Sequence, residues 1–303
     1  MRAVFLFALP VLVACESHRP VPDGAPPGPA ATAPTSAVAR PYALHVPPGL
    51  DASRPAPLVV SLHGYGASSG EAHAKGLGLD RLADEQGLLL AMPDGTKDSA
   101  GNRFWNASDA CCDFEHSGVD DVAYIAWLLD DVERKHEVDR NRVFVVGHSN
   151  GGFLAHRLAC DLSARLAGAI SIAGAGPKDP SRCKPIAPVS ILEIHGDADT
   201  IIAPGGGRVF GRPLPEYPST QATIAMWLEK DACGPGAQPA PAPLDFDDSV
   251  PGAETQPVSY RGCRDGVTVD LWTVAGGSHL PRPSRAGLVA LGAWMTAHAA
   301  HGR

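Results

Sequence analysis

The sequence predicts an α/β fold with a mostly parallel central sheet and helices on both faces. Two observations carry that prediction. Short, continuously apolar runs recur and end in Gly or Pro: Leu58 to His63 closed by Gly64, Leu88 to Met92 closed by Pro93-Asp94-Gly95, Arg142 to Gly147, Ala167 to Ala173, Val189 to His195, and 267–275. Such runs read as strands buried on both faces. Between them lie segments with a helical apolar period, so strand and helix alternate along the chain. The chain has 303 residues, 44% hydrophobic, enough to bury a full core.

Taken in order, Met1-Arg2 gives a minimal positive start, and Ala3 to Val13 is apolar apart from Pro10. That run is too short to span a bilayer, which needs ~20 apolar residues, and it fits the apolar core of a secretory signal. It leads into Leu12-Val13-Ala14-Cys15, which resembles the lipobox of bacterial lipoproteins, whose Cys is lipidated. The expectation is a lipoprotein signal peptide over 1–14, lipidation at Cys15 and an exported, membrane-anchored protein. Prolines 20, 22, 26, 27, 29 and 34 sit among Ala, Gly, Thr and Ser, so 15–40 reads as a semi-extended tether. The folded domain is placed at 41–303. Within it, helices are predicted at Leu79 to Gln86 (stopped by Gly87), at 118–136 with Asp120 and Asp121 in the first turn, at Gly151 to Cys160, at 219–231 and at 284–299. The Pro-rich stretch 235–257 reads as a surface excursion inside this one domain.

Charge narrows the function classes. With 25 Lys and Arg against 33 Asp and Glu, the net charge is −8, and no basic block occurs. Nucleic acid is therefore not an expected partner. No His-x-x-x-His or Cys-x-x-Cys spacing and no Gly-rich phosphate or dinucleotide fingerprint is present, so neither metal nor cofactor is expected. A His195-x-Asp197-x-Asp199 ligand set is weighed against that, but placement at a strand end explains those residues more simply.

The chemistry centres on Gly147-His148-Ser149-Asn150-Gly151, a G-x-S-x-G motif. The motif alone is weak. Here it follows the strand Val143 to Gly147 and opens a helix, the context that holds a serine exposed on a sharp turn. A nucleophilic serine needs a base and an orienting acid, in the chain order Ser, acid, His for α/β-hydrolases. Asp197 and Asp199 both follow the strand ending at His195, and spacing does not choose between them. Of the histidines that follow, His298 falls in the last helix and His301 in the tail, where both read as surface residues. His279, after a strand and the turn Gly276-Gly277-Ser278, is the expected base. The oxyanion donors are expected to be the backbone N–H groups of Tyr65, in His63-Gly64-Tyr65-Gly66, and of Asn150; His63 is read as shaping that turn.

These residues resemble the polyhydroxybutyrate depolymerase and feruloyl esterase-like group of α/β-hydrolases. The likeness rests on Gly118-Val119-Asp120-Asp121-Val122, Asp139-Arg140-Asn141-Arg142-Val143, Gly147 to Gly152 with Arg157-Leu158-Ala159-Cys160, the His-Gly-x-x-Asp run 195–199 and Gly276-Gly277-Ser278-His279. It spans about residues 41 to 299. It implies the α/β-hydrolase fold and places the acid at the fifth position of His-Gly-x-x-Asp, Asp199. The chain departs from the family pattern at Leu280, where a Trp is usual, at Tyr65 in place of Cys, and at Ala203-Pro204-Gly205 in place of a Val-Pro-Tyr-like segment. The Tyr65 side chain is expected to narrow the acyl site.

The chain has seven cysteines, and setting Cys15 aside leaves an even set: Cys111, Cys112, Cys160, Cys183, Cys233 and Cys263. Cys233 and Cys263 are expected to staple the excursion, and Cys111 and Cys112 to share Cys160 and Cys183. The function expected is a secreted serine esterase acting on hydroxyalkanoate oligomers, or on feruloyl or acetyl esters of polysaccharide. A peptidase with the same triad and a non-catalytic surface-binding lipoprotein are the other readings.

Overall fold

Leu58, Val60 and Leu62 belong to one buried cluster and Val59, between them, to another. A strand buried on both faces needs cover on both faces, and the computed structural model, which describes residues 40–299, supplies it. The predicted signal peptide, most of the tether and Cys15 lie outside the described residues.

The strands are β1 (Tyr42–His45), β2 (Ala56–Leu62), β3 (Leu89–Pro93), β4 (Thr96–Lys97), β5 (Arg103–Phe104), β6 (Val138–His148), β7 (Gly168–Ile172), β8 (Ser190–Gly196), β9 (Ala237–Pro239), β10 (Thr255–Tyr260) and β11 (Val269–Val274). The helices are α1 (Gly70–Gly76), α2 (Leu79–Gln86), α3 (Asp121–Lys135), α4 (Asn150–Asp161), α5 (Thr220–Lys230) and α6 (Arg285–Ala297). Among the described residues, a nine-stranded sheet runs in the order β1-β3-β2-β6-β7-β8-β11-β10-β9. From β3 to β11 every neighbouring pair is parallel, while β1, β10 and β9 add antiparallel edges. Tyr124, Leu128, Phe153, Leu154, Ile224 and Trp227 of α3, α4 and α5 pack in the cluster with Leu58 and Val60. Ala74, Leu79, Leu82, Leu288, Leu291 and Trp294 of α1, α2 and α6 pack in the cluster with Val59.

The expected central strands and later helices all form, with ends shifted by a few residues. Helix α3 starts at Asp121 because Asp120 is its cap, accepting the Ala123 N–H at 2.9 Å. Stretch 235–257 is more than a surface excursion. It contains β9 and leads into β10, and Phe246 is wholly buried against Trp272, with ring centroids 6.0 Å apart. His298 is not a surface residue. It sits half-buried at the end of α6, with Nδ1 2.6 Å from the Trp294 carbonyl and Nε2 2.8 Å from Thr268 Oγ1.

Of the expected disulfides, Cys233–Cys263 forms as anticipated. Cys111 and Cys112 do not share Cys160 and Cys183. Cys160 at the end of α4 bonds to Cys183, and Cys111 bonds to Cys112 across a cis peptide. With Cys160 paired to Cys183 and Cys233 to Cys263, Cys111 and Cys112 have only each other left among the described residues.

Candidate active site

In a parallel sheet the C-terminal strand ends gather at one edge, where ligands bind. β2 runs into His63-Gly64-Tyr65, β6 into Ser149, β8 into Asp197 and Asp199, and β11 into His279. The residues singled out from sequence therefore share one edge of the sheet.

Ser149 joins β6 to α4 with φ 55 and ψ −120, a positive φ that non-glycine residues rarely adopt. The surrounding packing enforces the turn. A Cβ on Gly147 would lie 2.0 Å from the Gly151 carbonyl oxygen, so only glycine lets strand and helix meet there. The Ser149 hydroxyl faces His279 Nε2 at 2.9 Å, and His279 Nδ1 faces Asp199 Oδ2 at 2.7 Å. The Asp199 carboxylate is an acceptor, so Nδ1 donates and Nε2 is left to accept the serine proton. The side chain of Asp199 is fully buried, and its Oδ1 accepts the N–H groups of Ile201 at 2.8 Å and Ile202 at 3.0 Å. Burial would raise this carboxyl, but hydrogen bonds from His195, His279 and the Ile202 amide outweigh it and hold Asp199 well below the usual carboxylate range.

Asp197 does something else. It is exposed, and its Oδ1 accepts the Gly276 N–H at 2.6 Å, which fixes the turn leading to His279. Among the described residues no three His, Cys, Asp or Glu side chains come together as a metal-ligand set, and His195, Asp197 and Asp199 do not form one.

The turn after β2 comes close to Ser149: a Cβ on Gly64 would lie 3.4 Å from Ser149 Cβ. The backbone N–H groups of Tyr65 and Asn150 have no hydrogen-bond partner among the described residues. His63 does shape this turn. It is buried, its Nε2 accepts the Gly95 N–H at 2.8 Å, and its Nδ1 donates to the Gly64 carbonyl at 2.8 Å. Burial pulls it down to about 4, so it stays neutral at ordinary pH. The Tyr65 side chain is tied back by Asp98 and by Asn102 Nδ2 at 3.1 Å, and its ring meets Phe114 and Phe210 at centroid distances of 5.1 and 6.1 Å.

Two supporting residues, Trp105 and His148, and the side-chain role of Asn150 escaped the sequence reading. The Asn150 side chain clamps Trp105, accepting its N–H at 2.7 Å and donating to its carbonyl at 3.0 Å. The Trp105 indole in turn donates to the His63 carbonyl at 2.9 Å. His148, the variable position before the serine, donates from Nε2 to the His279 carbonyl at 2.8 Å. Burial, with His73 and His279 nearby, pulls His148 down to about 3. The residue before a G-x-S-x-G serine carries no sequence signature, and Trp105 lies in an irregular loop, so periodicity could flag neither.

A family model described as esterase PHB depolymerase matches residues 40–175. The chain is 31% identical over 316 aligned positions to a Nocardia uniformis subsp. tsuyamanensis protein, NocK, named as an esterase, covering 90% of this chain and 87% of that one. It is 27% identical to feruloyl esterase B of Piromyces equi over 79% of this chain and 42% of that one. Among solved structures, the acetyl xylan esterase from Aspergillus awamori superposes with a TM-score of 0.60 at 16% identity, covering 85% of this chain and 94% of the other. The Bacillus cereus carboxylesterase gives a TM-score of 0.51 at 15% identity, over 87% and 96% of the two chains. These structural likenesses bear on the fold, which is that of the α/β-hydrolases.

Proposed function

For a chain that belongs to the polyhydroxybutyrate depolymerase and feruloyl esterase-like family, and is a carboxylic ester hydrolase, we propose that Ser149, His279 and Asp199 form the catalytic triad. The observation that carries the proposal is His279, which spans Ser149 Oγ at 2.9 Å and Asp199 Oδ2 at 2.7 Å across 130 and 80 residues of sequence. Ser149 attacks the ester carbonyl while His279 Nε2 takes its proton. The tetrahedral oxyanion is held by the N–H groups of Tyr65 and Asn150, the latter at the start of α4, where the helix dipole favours negative charge. His279 then protonates the leaving alcohol, and the ester bond to Ser149 is hydrolysed by the same steps with water as nucleophile. Asp199 fixes the His279 tautomer and stabilises its cation.

The substrates fall among hydroxyalkanoate oligomers and feruloyl or acetyl esters of polysaccharide. Tyr65, Phe114 and Phe210 present aromatic rings on the Tyr65 side of the site. They favour an acyl group carrying a flat ring over a bare acetyl. The protein is exported and anchored through Cys15; pairing of the described cysteines suits an oxidising compartment.

A fluorophosphonate probe tests the triad. The folded chain is expected to label at one site, and Ser149→Ala to abolish both labelling and hydrolysis of p-nitrophenyl acetate; no labelling of the folded wild type overturns the reading. A panel of feruloyl, acetyl and hydroxybutyrate esters then assigns the acyl group.

A further inference from the structure

Behind Asp199 the core holds a second polar chain, and the triad mechanism uses none of it. His195, on β8, is 3% exposed. Its Nε2 faces the Ile202 carbonyl at 2.8 Å and Asp199 Oδ2 at 3.5 Å. Both are acceptors, so Nε2 carries a hydrogen. Its Nδ1 faces Glu193 Oε1 at 3.0 Å and Thr220 Oγ1 at 3.2 Å.

The state of Glu193 follows from the next link. Its other oxygen, Oε2, lies 3.0 Å from His156 Nε2. His156 Nδ1 is 3.0 Å from Trp227 Nε1. An indole N–H can only donate, so His156 accepts at Nδ1 and donates from Nε2 to Glu193. Glu193 is completely buried, and an unpaired carboxylate there would be very costly. With a donor already on Oε2, ionisation balances if His195 Nδ1 also donates. Burial opposes charge on both partners. Even so, contacts with Asp199, Glu193 and Ile202 hold His195 up at about 10, and hydrogen bonds from His156 and His195 hold Glu193 below the usual range.

We propose that His195 is a standing imidazolium between Glu193 and Asp199, and that it is a positioning residue which orients the triad acid and offsets part of its charge. The proposal rests on the reading of Asp199 and His279 as acid and base. The other titratable groups around this pair are His279 from the loop after β11, His148 at the end of β6, His156 on α4 and Tyr217 before α5; the Tyr217 hydroxyl accepts the Ala203 N–H at 2.9 Å. With the His195 cation in place, part of the Asp199 charge is offset from behind, while the carboxylate stays aimed at His279 Nδ1. Glu193 keeps the cation from being an uncompensated buried charge.

Two arms test this on the full chain. In the first, ¹⁵N-histidine NMR of the wild type is expected to show the assigned His195 ring doubly protonated from pH 6 to pH 9; a neutral ring within that range overturns the proposal. This arm needs no catalysis, so it stays informative if Ser149→Ala leaves activity intact and the triad reading fails. In the second, His195→Gln keeps a donor for the Ile202 carbonyl but removes the charge. Loss of a nearby cation leaves the Asp199 charge less compensated, so the acid limb of kcat/KM is expected to move up by about one pH unit. kcat is expected to fall roughly 10-fold with KM little changed. A folded His195→Gln variant with a lower kcat and an unmoved limb would mean a packing role only. If that variant does not fold, the NMR arm decides, with Glu193→Gln expected to turn His195 into a ring that titrates within the same range.

Discussion

The proposed nucleophile and the proposed acid are held in place by different physics. On the Ser149 side the constraint is steric and lies in the backbone: a strained φ, a strand and helix that touch at Gly147, and a loop turned close by Gly64. On the Asp199 side it is polar and lies in side chains: two backbone amides, His279, and the buried His195 and Glu193 behind them. A steric arm tolerates no added atoms but needs no particular charge. A polar arm tolerates isosteric replacement in shape, yet fails when one charge or donor is removed.

Asp199→Asn, the largest of the expected effects, tests the polar arm directly. The shape is kept, but the amide can present a donor to His279 Nδ1 and favour the wrong tautomer, so kcat should fall about 10⁴-fold with the fold intact. Steady-state kinetics on a soluble ester, beside a thermal melt, measures it; a loss below tenfold would break the contrast.

Asn150→Ala probes the one place where the steric arm borrows a side chain. It strands the buried Trp105 N–H, at ~1–3 kcal/mol, while the Trp105 carbonyl keeps the Cys112 N–H at 3.3 Å. Reduced Tm should come with a kcat loss of roughly tenfold, because the oxyanion turn loses its brace. A variant with wild-type Tm would show that the clamp does not brace this turn.

Asp231 sharpens the rule from the opposite direction. It is a fully buried carboxylate at the end of α5, beside the Cys233–Cys263 bond, and burial raises it to about 7. A carboxyl raised in the folded state is held protonated at acid pH, so stability is full below about pH 4 and falls as pH climbs toward 7. Asp231→Asn should therefore raise Tm at pH 8 by roughly 5 °C and change it little at pH 4. Equal melts for both proteins at pH 8 would contradict the burial penalty.

Asp197→Asn should be the mildest. The amide oxygen still accepts the Gly276 N–H, so kcat should stay within about threefold of wild type. A collapse of activity similar to that of Asp199→Asn would reverse the assignment of the acid.

The same contrast explains what could be read before the fold was known. Steric demands leave marks in sequence: Gly147 and Gly151 around Ser149, Gly64 after β2, apolar runs for the central strands. Ser149 and His279 were legible on those grounds, whereas Asp199 needed the likeness to a family to separate it from Asp197. Polar support leaves no period. Glu193 sits inside an apolar strand and His156 inside an amphipathic helix, and neither looks different from an ordinary core exception until β7, β8 and α4 are assembled. The edge strands β1, β9 and β10 were missed because a solvated edge is less apolar than a central strand. The cysteine pairing failed at 111 and 112 because sequence spacing does not reveal which sulfurs the fold brings within reach.

The hydrogen bond from His148 to the His279 carbonyl has an architectural consequence. It ties the loop carrying His279 to the turn carrying Ser149, so the spacing of these two residues is braced by more than their own contact. The segments bearing Phe114 and Phe210 stand outside that brace. On the proposed reading, insertions or exchanges there would change which acyl group is accepted while the spacing of serine and histidine is preserved. That reading separates a fixed reaction core from a replaceable recognition rim.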